Sequence, residues 1–188
     1  MRIIAGKHRG RRLAAPPGDL VRPTSDRARE AVFNILAHGS FAAAGPAYAG
    51  ARVLDVFAGT GAFGLEALSR GAKDAVFIEN SRAALSVLRR NIAERGETGR
   101  TEIIAADATQ PPRAPAPATI AFLDPPYREG LAAPALAALA AAGWLADGAL
   151  CIVELAAKED LAAPADFAPL DERRYGAAKL AFLRFRLR

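Results

Sequence analysis

The sequence predicts an α/β fold with a doubly wound, mostly parallel β-sheet. From residue 52 onward, short apolar runs alternate with segments of helical length. Three of these runs end in an acidic residue, Glu79, Asp107 or Asp124. Strands that alternate with helices form parallel sheets, and right-handed crossovers place a ligand at the carboxyl ends of the strands.

The first 45 residues are predicted as a small basic appendage to this fold. Two short apolar runs, "RIIAG" and "RRLAA", are joined by the basic turn "KHRG", which is the pattern of a β-hairpin. A helix is expected over 22–39, where Thr24 or Ser25 can cap its start and Gly39 can end it. A linker of alanine, glycine and proline follows, so we divide the chain into residues 1–45 and a second domain, 46–188.

The elements of the second domain follow in order along the chain. Runs of branched and aromatic residues predict strands at 52–57, 74–79, 101–107, 119–124 and 149–155. Helical spacing predicts helices at 61–71, 81–96 and 131–145. Two final runs, 167–176 and 179–188, are predicted as an antiparallel pair at the sheet edge, which brings the sheet to seven strands. The proline-rich loop 111–118 has no motif that assigns it a role.

Composition excludes several classes of protein. Hydrophobic residues make up 52% of the chain, which predicts a globular protein, and no apolar run reaches the length of a membrane span. The N-terminus lacks the apolar segment of a secretion signal, so we expect a cytoplasmic protein. The one cysteine, Cys151, lies in a predicted central strand and excludes an internal disulfide. His8 and His38 show no ligand spacing, so we expect no metal.

The net charge of +5 comes entirely from the N-terminal piece of the chain. The first 30 residues contain eight Lys and Arg against three acidic residues, and the remaining residues balance at 17 of each sign. A basic arm of this kind is typical of nucleic-acid binding, although a solvated tail fits the charge alone equally well.

A glycine-rich loop, "DVFAGTGAFG", follows the first strand of the second domain. Gly59, Gly61 and Gly64 fit the G-x-G-x-x-G pattern of dinucleotide-binding proteins, with Glu79 near the position of a ribose-binding acid. Asp55 argues against a nicotinamide dehydrogenase, because a carboxylate before the loop repels a pyrophosphate but suits an ammonium group. The chain also leaves no room for a substrate domain. These features favour S-adenosylmethionine, whose amino acid end carries an ammonium group.

The acids at the other strand ends fit the same cofactor. Glu79 can accept both ribose hydroxyls through its two oxygens, and Asp107 can accept from the exocyclic amine of adenine. Each acid alone could equally be a helix cap or a solvated strand end. Three acids at successive strand ends of one sheet indicate a common ligand.

The fourth predicted strand ends in "FLDPPY", which joins a carboxylate, a stiff turn and an aromatic ring. Neither proline has an N–H that would compete for the acceptors at Asp124 and the carbonyl of Pro125. An exocyclic amine on a base is a poor nucleophile, and acceptors that hold its hydrogens turn its lone pair toward a methyl donor. Tyr127 can stack on an extracted base. The motif therefore predicts methylation of a planar amine nitrogen.

Four segments together resemble the RsmD family, the bacterial 16S rRNA guanine-N2 methyltransferases. They are "RPTSDRAREAVFNIL", "LDVFAGTGAFGLEALSRGA", "FIE" and "FLDPPY", and the resemblance extends from "IIAG" through "CIVEL" and weakly into "RRYG". It implies a class I S-adenosylmethionine-dependent methyltransferase fold, which is Rossmann-like. It also implies that the substrate is 16S rRNA in the small ribosomal subunit or its assembly intermediate, and we expect a monomer.

The resemblance also implies roles for individual residues. The implied cofactor residues are Asp55, Phe57, Ala58, Gly59, Thr60, Gly61, Glu79 and Asp107, the last at the adenine. The implied catalytic residues are Asp124, Pro125 and Tyr127. The basic arm then becomes the RNA grip through Lys7, Arg9, Arg11, Arg12 and Arg22, because arginine forks bind phosphate oxygens in pairs.

Three alternatives stay open at this point. A DNA adenine-N6 methyltransferase shares the chemistry but usually carries a larger target-recognition segment than this chain allows. A glutamine methyltransferase usually has asparagine where Asp124 stands. A non-catalytic RNA-binding protein with a degenerate cofactor fold is the third, and the intact "GTG" and "DPPY" argue against it.

Overall fold

A computed structural model describes residues 1–16, 23–39, 41 and 45–187 of the chain. Within these residues, seven strands and four α-helices are formed. The strands are β1 (Arg52–Val56), β2 (Asp74–Glu79), β3 (Thr101–Ala105), β4 (Ala118–Leu123), β5 (Leu145–Ala156), β6 (Phe167–Tyr175) and β7 (Ala178–Phe185). The helices are α1 (Pro23–His38), α2 (Ala62–Ser69), α3 (Arg82–Arg95) and α4 (Ala132–Ala141).

All the strands belong to one sheet, whose order is β3-β2-β1-β4-β5-β7-β6. The first five strands are parallel, whereas β7 runs antiparallel to β5 and β6 antiparallel to β7. This confirms the predicted mostly parallel sheet with an antiparallel edge. From β1 the chain builds outward to β3 and then returns to β4 on the other side of β1. A crevice opens at such a reversal, beyond the carboxyl ends of the strands.

The central strands are buried on both faces. Alternate residues of β1 point to opposite sides, so Val53 packs in one core with Phe63 and Phe77. Leu54 packs in a second core on the other face, with Trp144. Strands covered on both faces need apolar side chains at nearly every position, which explains the continuous runs in the sequence. Cys151 lies fully buried in β5, as the sequence predicted.

The N-terminal segment forms the predicted hairpin in a shortened form. One antiparallel bridge joins Arg2 and Arg12, and beside it the Ile3 N–H donates to the Arg11 carbonyl (2.9 Å) and the Leu13 N–H to the Met1 carbonyl (3.1 Å). Helix α1 also begins earlier than the predicted cap, at Pro23, because the fixed φ of proline suits the first turn of a helix. Ile3 and Phe33 lie in the same core as Val53. The division of the chain at residue 45 stays a prediction.

Buried polar side chains of the sheet domain fasten the N-terminal segment in place. The carboxylate of Glu66 is fully buried and accepts from the N–H groups of Ile4 (2.7 Å) and Ala5 (3.0 Å). The Ser69 hydroxyl donates to the Ala5 carbonyl at 2.6 Å. The His8 ring lies 2.6 Å from the Glu97 carboxylate through Nε2. These contacts add to the backbone hydrogen bonds between the two arms of the segment, and they hold the segment against the sheet domain.

The proline-rich loop before β4 packs against the end of α4. Trp144 donates its indole N–H to the Pro112 carbonyl at 2.8 Å, and the Ala114 N–H donates to the Ala142 carbonyl at 2.9 Å. The loop is thus an ordered connection that packs against the second core through Ala114. Among the described residues, no helix is both long and apolar enough to cross a membrane.

Candidate active site

A cavity of about 510 Å³ opens at the carboxyl ends of β1, β2, β4 and β5. The residues that line it at these strand ends are Asp55, 57–60, 79–81, 124–127 and Glu154. Its size falls in the range of small-molecule sites, roughly 300–1,000 Å³. The sheet therefore brings most of the residues predicted from the glycine loop, the β2 end and "DPPY" into one site.

The glycine loop after β1 has an unusual backbone. Phe57, Gly59 and Gly61 all have positive φ, at 58°, 55° and 77°. A positive φ is strained for phenylalanine, whereas glycine adopts it without a steric penalty. Backbone strain of this kind is common at functional sites. A side chain at Gly61 would also lie 2.4 Å from a methyl group of Leu88. The loop thus needs glycine for its turn and for its close packing. Gly61 itself does not line the cavity.

Asp55 supplies a buried carboxylate to the cavity. Its side chain is 3% exposed, and Oδ2 accepts from the Gly64 N–H at 2.9 Å. Burial raises the pKa of Asp55 to about 7, and the nearby Glu79 adds to the rise, while the Gly64 N–H and Arg29 oppose it. A carboxylate that is costly to ionise alone is stabilised by a bound cation. The site therefore suits a ligand with an ammonium group.

Glu79 has a structural role that the sequence analysis missed. Its Oε2 accepts from the Gly59 N–H at 2.8 Å, and its Oε1 accepts from the N–H groups of Asn80 (2.9 Å) and Ser81 (2.8 Å). One carboxylate thus ties the glycine loop to the end of β2 while it lines the cavity. Its role at a ribose stays a prediction.

Asp107 is not brought to the cavity with the other acids. Its exposed carboxylate accepts from the N–H and the hydroxyl of Thr109, both at 2.8 Å, and these bonds hold the pKa of Asp107 below its usual value. This is the local turn-capping arrangement common for aspartate. Its assignment to an adenine amine stays a prediction.

The "DPPY" segment forms the opposite wall of the cavity. The Asp124 N–H donates to the Val56 carbonyl at 3.3 Å, which fixes the segment at the end of β4 beside β1. Asp124 is exposed, Pro125 is buried and Tyr127 is half-buried. The Tyr127 hydroxyl donates to Glu154 Oε1 at 2.8 Å. An accessible carboxylate and an oriented ring therefore face the same space as Asp55.

Two charged residues in the cavity wall were missed by the sequence analysis. Glu154 lies near the end of "CIVEL" in β5. The sequence could have indicated it, because it is an acidic residue near the end of another predicted strand. Arg29 lies on α1 and donates from Nη2 to the Arg2 carbonyl at 2.7 Å. Nothing local in the sequence distinguishes Arg29 from the arginines around it.

The predicted RNA-binding side chains lie on the docked N-terminal segment. Lys7, Arg9, Arg11 and Arg12 are exposed, and Lys7 Nζ lies 3.8 Å from Glu97 Oε1. Arg22 lies outside the described residues. The backbone at Lys7 and His8 is held by Ser69: the Lys7 N–H donates to the Ser69 carbonyl at 2.8 Å and the His8 N–H to the Ser69 hydroxyl at 2.9 Å.

Comparison with known proteins links these features to a family. The family model described as "Conserved hypothetical protein 95" matches residues 1–184. A curated relative from Escherichia coli K12, ribosomal RNA small subunit methyltransferase D, is 43% identical over 155 residues, which are 82% of this chain and 74% of the relative. The protein of that name from Haemophilus influenzae is 34% identical and covers 94% of this chain and 89% of its own length.

Solved structures show the same fold. The structure described as "Putative methyltransferase yhhF" from Escherichia coli is 38% identical, with a TM-score of 0.83, and the match covers 100% of this chain and 99% of that one. A second structure is described as "a putative RNA methyltransferase PH1948 from Pyrococcus horikoshii". Its TM-score is 0.64 over 94% of each chain. Its sequence is 16% identical, so this likeness shows the fold alone.

Proposed function

The chain belongs to the RsmD family of S-adenosylmethionine-dependent rRNA methyltransferases, and we propose that it methylates the N2 amine of a single guanine in 16S rRNA. The observation that carries the proposal is the shared cavity. A buried acid that suits an ammonium group, Asp55, lines the same cavity as Asp124, the proposed acceptor for the target amine.

The residues of the cavity fit the cofactor. Asp55 is placed to hold the ammonium group, since a cation lowers the cost of ionising that buried carboxylate. Glu79 would accept from a ribose hydroxyl at the acceptor site that its three backbone N–H bonds leave, and 57–60 line the same cavity. Bound S-adenosylmethionine supplies a methyl group on a positively charged sulfur, which makes that methyl group electrophilic.

Asp124 and Pro125 prepare the amine of the target base. Their carboxylate and carbonyl oxygens accept its hydrogens, so the lone pair of the nitrogen points away from them into the cavity. A nitrogen that gains a methyl group must lose a proton, and Asp124 is the exposed carboxylate positioned to receive it. Tyr127, held by Glu154, offers its ring face to the base.

The docked N-terminal segment is the proposed grip on RNA. Lys7, Arg9, Arg11 and Arg12 are exposed together, and phosphate contacts of this kind supply most non-specific affinity for nucleic acid. Because the segment is fastened through the buried Glu66 and through Glu97, the phosphates it binds are set at a fixed distance from the cavity.

We place the substrate in the small ribosomal subunit or its assembly intermediate, in the cytoplasm. The relatives named for the small subunit support this choice, and the surplus of positive charge on the arm suits an extended RNA surface. The expected monomer and the expected lack of a metal stay predictions.

Transfer of a labelled methyl group tests the proposed substrate. The purified protein and labelled S-adenosylmethionine are incubated with small subunits from a strain lacking the activity, with naked 16S rRNA, or with duplex DNA. We expect label chiefly in the subunit rRNA, and at least ~10²-fold slower labelling with Asp124→Ala. Label in DNA would favour the adenine-N6 alternative. Cofactor binding without transfer to any substrate would favour a non-catalytic RNA-binding protein.

A further inference from the structure

Two acids stand side by side at the ends of neighbouring strands. In the parallel pairing of β4 with β5, Leu123 lies opposite Val153, so the next residues along each strand are Asp124 and Glu154. Glu154 lies within β5, so its side chain points to the face of the sheet opposite Val153, and Asp124 follows the last residue of β4. Both line the cavity.

Glu154 is the more buried of the pair. It is 6% exposed, and its Oε1 accepts from the Tyr127 hydroxyl at 2.8 Å. A carboxylate has about four acceptor sites on its two oxygens, so the bond from Tyr127 does not preclude a further donor. The base that enters beside Tyr127 can bring a further donor to one of these acceptor sites.

Guanine and adenine differ at the ring nitrogen next to their amine. In guanine this nitrogen, N1, carries a hydrogen and donates, whereas N1 of adenine has a lone pair and accepts. A carboxylate acceptor therefore attracts guanine N1–H and repels adenine N1. The "DPPY" segment binds either amine, so it cannot make this distinction.

We infer that Glu154 reads the N1–H of the target guanine and excludes adenine from the site. The inference rests on the proposed function, because it names the group that selects the base. Asp124 and Pro125 accept hydrogen bonds from the N2 amine, while Glu154 accepts one from the neighbouring N1–H. Sites that hydrogen-bond a polar group reject analogues lacking it by about 10⁴-fold, since buried partners are left unpaired.

A base analogue separates this role from a structural one. 2-Aminopurine keeps the amine of guanine but lacks N1–H and the O6 oxygen. Small subunits are reconstituted with 16S rRNA that carries guanine or 2-aminopurine at the nucleotide methylated by the wild-type protein. The readout is the ratio of kcat/KM for the two subunits, compared between wild type and Glu154→Gln. Loss of O6 affects both proteins alike and cancels in the comparison.

We expect wild type to prefer guanine by at least ~10²-fold and Glu154→Gln to reduce that preference at least tenfold, because the amide N–H₂ can donate to the bare N1 of 2-aminopurine. Tyr127→Phe is the matched control, since it removes the hydroxyl donor and keeps the carboxylate. Tyr127→Phe should lower kcat/KM for both the guanine and the 2-aminopurine subunits and leave their ratio unchanged.

An unchanged ratio in Glu154→Gln, with both rates lowered as in Tyr127→Phe, would overturn the inference and leave Glu154 as a support for Tyr127. Glu154→Asp provides a second test if the amide variant fails to fold, because the withdrawn carboxylate should also reduce the preference, and an unchanged ratio would again be contradictory. A wild-type protein that does not methylate guanine would instead contradict the proposed function itself.

Discussion

Replacing Asp55 with asparagine should stabilise the cofactor-free protein and weaken its binding of S-adenosylmethionine. Asparagine keeps an oxygen that can accept from the Gly64 N–H, and it cannot ionise. The wild-type carboxylate is 3% exposed, so its charge is costly until an ammonium group arrives. The Asp55 carboxylate therefore destabilises the cofactor-free protein and strengthens the binding of the cofactor.

The magnitude follows from the pKa of Asp55, which is raised from 3.8 to about 7 in the folded protein. Because the pKa is raised on folding, the stability from the bound proton is fully present below the unfolded pKa and is lost as pH rises through about 7. Between about pH 5 and about pH 8, wild type loses roughly 3 kcal/mol from this group, from two pH units at ~1.4 kcal/mol each. Asp55→Asn is spared this loss.

Urea denaturation of the two proteins at both pH values measures the effect as a free energy of unfolding. The variant should gain on wild type by roughly 3 kcal/mol as pH rises from about 5 to about 8. Calorimetry should show cofactor affinity about thirtyfold lower in the variant, as expected for a lost charged hydrogen bond of ~2 kcal/mol. In wild type, affinity should increase as pH rises through about 7.

Asp107→Asn is the control, because Asp107 is exposed and its pKa is lowered by the Thr109 bonds. Its stabilising contribution is present above the unfolded pKa and lost as pH falls, so its removal should give no comparable gain at high pH. A stability difference between Asp55→Asn and wild type that stays constant with pH would refute the reasoning. So would an unaltered affinity for the cofactor.

Three further predictions concern the base, the arm and the cysteine. Asp124→Ala should lower turnover at least ~10²-fold while cofactor affinity by calorimetry stays near wild type, and near-normal turnover would contradict the mechanism. Reversing Arg9, Arg11 and Arg12 to Glu should weaken RNA binding and flatten its logarithmic salt dependence by about 0.7–0.9 per lost phosphate contact. An unaltered salt slope in titrations would mean that the arm is a solvated tail. Cys151 should react slowly with thiol reagents in the native protein and rapidly in urea, since burial raises its pKa to about 12. Rapid native labelling would oppose this.

The central strands could be predicted because they are buried on both faces. The run 74–79 coincides with β2, whose four inner residues are apolar and buried. The start of β5 was placed four residues late, because Asp147 and Gly148 look like a turn. In the structure they lie within the strand, at a register shift in its pairing with β4.

The N-terminal segment shows what local patterns leave out. Its anchors, Glu66 and Glu97, lie far along the chain, and their contacts span about 60 to 90 residues of sequence. No period or motif near the segment reveals them. Local patterns therefore predicted the reversal of the chain, which backbone hydrogen bonds confirm, but not the long-range side-chain contacts that dock the segment.

The candidate site was predictable where chemistry and topology coincide. Asp55, Glu79 and Asp124 end neighbouring strands, and parallel strands bring such ends together. Asp107 was predicted to end a strand too, but β3 ends at Ala105, and the Asp107 side chain turns to Thr109. The direction of a side chain after a strand depends on the following turn, which the strand pattern does not determine.

Identification of the methylated nucleoside shows whether guanine N2 is the target. Small subunits from a strain lacking the activity are treated with the purified protein, and their 16S rRNA is digested to nucleosides for mass spectrometry. We expect N2-methylguanosine at a single position, and at least ~10²-fold slower formation of it with Asp124→Ala. N6-methyladenosine in the digest, or a methylated glutamine in a ribosomal protein, would contradict this proposal.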